Sequence, residues 1–204
     1  MTLLHILDLL STFVFALVGA RVAADKGLDY GGIAFVAAVA SVSGGTLRNL
    51  FIGLRPIWIS DPWIISSIIA AVILTLGFRR VTHIGKTVLF MDTFGLAVST
   101  MSGTQLSIEM RLPWYAAILL GLITAVTGGL LRDVLCQLEP VLLHRETIGT
   151  SSLMGAATFV ALHQFSFGEN ICAITGGVVV ILTRVASIQF DLHLPKFSKQ
   201  SVRS

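Results

Sequence analysis

The chain has 204 residues, of which 54% are hydrophobic and 12% charged, with a formal net charge of +3 and a mean hydropathy of +0.87. A soluble domain ordinarily carries about 25% charged residues, so a compact water-facing fold of this size is excluded, and with it a disordered chain, a disulfide scaffold and a basic reader of nucleic acid. Two cysteines, Cys136 and Cys172, stand outside any metal-binding or redox spacing. The composition is that of an all-α integral membrane protein.

A bilayer core about 30 Å thick calls for roughly 20 apolar residues in a helix. Seven stretches meet that need, at residues 3–20, 30–58, 63–78, 84–106, 113–138, 147–162 and 171–190. Hydrocarbon offers no water to backbone N–H and C=O groups, so helices are the expected spanning form. The first stretch is not read as a secretory signal, because Met1 to Leu7 holds no Lys or Arg. The second and fifth are too long for one straight span, and each holds a Gly-Gly pair near its middle.

Lys and Arg in short loops set orientation. With the C-terminus inside, Arg21, Lys26, Arg79, Arg80, Lys86, Arg145, Lys196, Lys199 and Arg203 are inner, and only Arg55 and Arg111 are outer. Trp58, Trp63 and Trp114 then form an outer interfacial belt. The expected topology is N-out, C-in.

One self-alignment offset organises the chain. Gly44-Gly45 matches Gly128-Gly129, Leu47-Arg48 matches Leu131-Arg132, and Pro56 matches Pro140, each 84 positions on (132 − 48 = 84). The same shift carries Asp8 onto Asp92 and Gly19 onto Gly103. Three spans per copy is an odd number, so the second copy must be inverted. The expected organisation is a three-helix repeat at 1–82, its inverted partner at 83–166, and a seventh helix with a short basic tail at 167–204. Such repeats place a permeation or substrate path at their interface, near the midplane, built from broken helices.

The matched segments run Ser43-Gly44-Gly45-Thr46-Leu47-Arg48-Asn49 and Thr127-Gly128-Gly129-Leu130-Leu131-Arg132-Asp133. Paired glycines weaken a helix by roughly 1 kcal/mol each, permitting a kink whose freed carbonyls face water or an ion. Ser43, Thr46 and Thr127 offer hydroxyls to the same groups. Small residues that only let helices pack closely are the alternative. Arg48 and Arg132 fall inside spans, where a charge costs about 2.5–3.5 kcal/mol and marks a functional site by default. Adjacent helical residues do not face each other, so Asp133 is passed over as a partner for Arg132. The expected contacts are Asp8 with Arg48 and Asp92 with Arg132, as a gate or as a staple within each repeat. Ser99, Thr100, Ser102 and Thr104 either line a polar path or bond their own helix. No nucleophile–base set, metal cluster or nucleotide fingerprint is present, so neither an enzyme nor a cofactor is expected.

The duplicated GG-x-L-R-[D/N] signature, the shared spacing to Pro56 and Pro140 and the 3+3+1 layout resemble the prokaryotic TRIC (trimeric intracellular cation channel) family. Its bacterial relatives are also classed as duplicated glycine-transporter-like membrane proteins. The resemblance spans roughly residues 3–190. It implies a homotrimer in the cell (plasma) membrane, among membrane lipids. Each protomer would carry its own pore between the repeats, lined by the second and fifth helices kinked at Gly44, Gly45, Gly128 and Gly129. Monovalent cations, chiefly potassium with sodium as the other candidate, would pass passively. The chain departs from the family pattern at Ser43 and Thr127, where a third glycine is common, and at Asn49, where an acidic residue is usual. Three readings stay open: a cation channel, a transporter of a small solute such as glycine, and a scaffold whose Arg–Asp pairs are only structural.

Overall fold

The computed structural model describes residues 2–77, 84–138 and 147–190. Within them the chain forms helices and no strand: α1 (Leu3–Asp25), α2 (Tyr30–Phe51), α3 (Ile57–Ser60), α4 (Pro62–Gly77), α5 (Ile84–Glu109), α6 (Trp114–Leu135), α7 (Thr147–Gln164) and α8 (Glu169–Gln189). Pro140, the loop cations Arg79, Arg80 and Arg145, and the tail cations Lys196, Lys199 and Arg203 lie outside the described residues, as does the Lys86 side chain.

Four helices, α1, α2, α6 and α8, are long and apolar enough to cross a membrane, and α4 is a shorter apolar helix. Large apolar side chains point outward from them, Phe35, Ile73, Ile174 and Leu182 among them, which in water would be a liability and in lipid is the ordinary outer surface. α5 is the polar inner helix: Ser99, Thr100, Ser102, Thr104, Gln105 and Ser107 are all buried. It packs on α1, α6, α7 and α8. Thr100, Thr104 and Ser107 each donate to the carbonyl four residues back, so these hydroxyls are satisfied without water. The apolar core forms two clusters, one of α1, α2 and α4 residues (with Cys136) and one of α5 to α8 residues.

The repeat is visible in how helices end. Gly27 and Gly53 adopt positive φ just past α1 and α2. Their counterparts 84 residues on, Arg111 and Gln137, do the same past α5 and α6. At α2 the Leu54 N–H donates to the Asn49 carbonyl at 2.8 Å, and at α6 the Leu138 N–H donates to the Asp133 carbonyl at 2.8 Å. This is the Schellman closure of a helix through one left-handed residue. Backbone geometry has therefore been kept where the residue has not.

The expected helix breaks are placed elsewhere. α2 and α6 are α-helical without interruption through Gly44-Gly45 and Gly128-Gly129. The second stretch is instead divided at Gly53, after which residues 57–60 form the short helix α3. The first glycine of each pair serves a crossing of α2 and α6. A Cβ at Gly44 would collide with the Thr124 carbonyl oxygen, and one at Gly128 with the Ala40 carbonyl oxygen. Ala40 and Thr124 are themselves 84 residues apart, so each repeat offers the other the same glycine and the same carbonyl. Removing two side chains lets two backbones touch, as small residues do in membrane bundles.

Candidate functional site

Arg48, in the last turn of α2, has no exposed surface. Its Nη1 donates to Asp8 Oδ1 of α1 at 3.0 Å and to Ser102 Oγ of α5 at 2.6 Å, and its Nη2 donates to Asp8 Oδ2 at 3.3 Å. Ser102 in turn donates to Asp8 Oδ1. Arg48 Nε donates to Asn49 Oδ1 at 2.9 Å, and Asn49 Nδ2 donates to the Arg55 carbonyl at 2.8 Å. The guanidinium is thus held on three sides by α1, α5 and its own helix. Among the α5 hydroxyls, Ser102 reaches across to a charged group, whereas Ser99 bonds its own helix and Thr100 shares a contact with Ser152.

Arg132 repeats the arrangement at the end of α6. Its Nη1 donates to Asp92 Oδ1 of α5 at 2.8 Å, and its Nε to Asp133 Oδ1 at 2.9 Å. Arg132 Nη2 lies 2.8 Å from the same Asp133 oxygen. Asp133 is therefore a partner after all. The side chains of neighbouring residues leave the helix in different directions, but an arginine is long enough to curl back over the final turn. Asn49 takes the same place beside Arg48.

The second cluster gains a residue that the repeat could not supply. Arg184 of α8, buried, donates from Nη2 to Asp92 Oδ2 at 2.8 Å. Arg132 and Arg184 are balanced by Asp92 and Asp133, and Arg48 is balanced by Asp8 alone. Asn49 thus stands where a carboxylate would add a charge beyond the one that Asp8 already balances, because the first repeat has no counterpart of α8 and its Arg184. Its signal in the sequence was an arginine inside an apolar span, the same signal that marked Arg48.

Each cluster borders a cavity. The first, of about 30 Å³, is lined by Asp8, Thr12, Gly45, Thr46, Arg48 and Trp58 among others. The second, of about 20 Å³, is bounded by Asp92, Leu96, Gly129, Arg132 and Asp133. The second glycine of each pair faces the guanidinium: a Cβ at Gly45 would stand 3.9 Å from Arg48 Nη2, and one at Gly129 3.8 Å from Arg132 Nη2. Thr46 Oγ1 accepts from Trp58 Nε1 at 3.0 Å. Ser43 and Thr127 line neither cavity; Thr127 bonds the Ile123 carbonyl of its own helix at 2.6 Å, and Ser43 Oγ is buried without a partner among the described residues.

Apolar helices around buried, charge-balanced Arg–Asp clusters define a multi-pass membrane protein, and its fold is that of the TRIC channels. It superposes on the TRIC trimeric intracellular cation channel orthologue from Rhodobacter sphaeroides with a TM-score of 0.88 and 31% identity, covering 94% of this chain and 100% of that one. A second TRIC cation channel aligns with a TM-score of 0.84 at 27% identity, covering 97% and 98%. The chain belongs to the family described as Glycine transporter, which it matches twice, over residues 5–80 and again over 89–164. Its relatives include the UPF0126 inner membrane protein YadS of Escherichia coli K12, 30% identical over 96% of this chain and 97% of that protein. The UPF0126 membrane protein YvgT of Bacillus subtilis is 27% identical over 95% and 96%.

Proposed function

We propose that the chain is a monovalent cation channel of the cell's inner membrane, a homotrimer with one potassium-permeable pore per protomer. The observation that supports it most is the full-length likeness to a TRIC channel at 31% identity. In this reading the pore follows the two cavities, between repeats 1–82 and 83–166. α2 and α6 line it at Gly45 and Gly129, and bending at the glycine pairs widens it. Seven helices span the bilayer, N-out and C-in, with the helix at 167–204 completing the bundle. Potassium is the main permeant ion and sodium the second. Asp8 and Asp92 face the ion, while Arg48 and Arg132 neutralise them at rest, so that a cation enters only where an Arg–Asp contact loosens. Asp133 and Asn49 hold each guanidinium from behind.

The family's description favours a second reading, a transporter of a small solute such as glycine; inverted repeats serve transporters equally well. Proteoliposomes separate the two. A channel dissipates a potassium gradient without any added solute, at a rate that does not saturate over the accessible potassium range. Saturable uptake of labelled glycine, with no solute-free potassium leak, supports the transporter instead.

A further inference from the structure

The two cavities meet at one side chain. Phe15 of α1 borders both the Arg48 chamber and the Arg132 chamber, and among the described residues no other residue borders both. It is 5% exposed and belongs to neither apolar core cluster. Its ring is seated between two glycines: a Cβ at Gly95 would stand 3.5 Å from Phe15 Cζ, and one at Gly128 3.6 Å from Phe15 Cδ1. A methyl group at either glycine would rest on the ring in ordinary van der Waals contact.

Phe15 is also one of the positions at which the repeat loses its symmetry. Asp8, Gly19, Gly44 and Arg48 all recur 84 residues later, yet the counterpart of Phe15 is Ser99, whose hydroxyl is turned back to the Gly95 carbonyl at 2.7 Å. Ser99 and Thr12 line the first chamber together with the ring. Beyond the ring the second chamber begins at Leu96 and Ala125. Two small chambers, each with an Arg–Asp cluster in its wall and one benzyl group bordering both, are the ingredients of an apolar constriction, which blocks conduction by excluding water rather than by charge.

We propose that Phe15 is the constriction of the protomer's path, closing it by dewetting, and that a swing of its ring away from Gly95 and Gly128 joins the two chambers. The proposal rests on the reading that the two cavities form one path across the protomer. It adds the residue that controls that path, separate from the Arg–Asp clusters.

The test compares wild type, Phe15→Ser, Phe15→Ala and Phe15→Leu in proteoliposomes, reading osmotic water permeability by stopped-flow light scattering and potassium flux in the same preparations. Phe15→Ser restores the residue that the second repeat carries at Ser99, and Phe15→Leu keeps an apolar plug. Water permeability several-fold above wild type in Phe15→Ser and Phe15→Ala, with Phe15→Leu close to wild type, is the expected result. Assembled Phe15→Ser and Phe15→Ala proteins as water-tight as wild type overturn the proposal, as does a Phe15→Leu protein as leaky as Phe15→Ser. If Phe15→Ser does not assemble, Phe15→Ala carries the comparison. Raised water permeability without potassium flux in any of the proteins supports the constriction and counts against the channel, so the two claims fail separately.

Discussion

Arg48 has no exposed surface, and its desolvation must be offset by the geometry of its attractions. Removing one member of such a pair strands a charge, which costs about 3–5 kcal/mol. Asp8→Ala is expected to lower the thermal unfolding temperature of the detergent-solubilised protein sharply, and a shift within the scatter of surface variants would show that the pair contributes little. Arg48→Lys keeps the charge but loses the fork that reaches Asp8, Ser102 and Asn49 together; partial destabilisation, smaller than that of Asp8→Ala, should follow in the same melt. The charge balance makes a further prediction. Asn49→Asp turns the amide donor to the Arg55 carbonyl into a carboxylate oxygen and adds a charge beyond the one Asp8 balances, so it should destabilise the fold, whereas the natural Asp133 is matched by Arg132 and Arg184.

Between helices the deciding feature is the reciprocal approach of Gly44 to Thr124 and of Gly128 to Ala40. A leucine at either position cannot be seated without parting α2 from α6. Gly44→Leu and Gly128→Leu should abolish potassium flux, and a size-exclusion profile shows whether each protein still assembles. Normal flux in both would mean that the crossing does not shape the path. Helix ends offer a gain instead. Arg111 and Gln137 hold left-handed backbone that glycine adopts freely and other residues adopt at a cost of roughly 1–2 kcal/mol. Arg111→Gly and Gln137→Gly are each expected to raise the melting temperature, net of the extra freedom glycine brings to the unfolded chain; a fall would mean that the native side chain makes a compensating contact.

At the scale of the molecule, what was legible in the sequence was what recurs. The 84-residue shift singled out Asp8, Asp92, Arg48 and Arg132, and the structure brings them together in pairs. Arg184 and Ser102 escaped that search because α8 has no copy and the counterpart of Ser102 is Val18. Asp133 was passed over by a rule about directions of departure from the helix, which long side chains at a helix end evade. A kink or break was expected at Gly44-Gly45 because paired glycines weaken a helix; α2 runs through them unbroken, and the chain turns at Gly53, where an added Cβ would meet nothing. Phe15 was unremarkable as one more aromatic in an apolar run; only the meeting of two cavities distinguishes it.

The central claim is that the protein passes cations down their gradient. Purified protein in a planar bilayer under a potassium chloride gradient tests it by the reversal potential of single openings. Openings that reverse near the potassium equilibrium potential are the predicted result. Reversal near the chloride potential, or a silent membrane in which insertion has been verified, would contradict it.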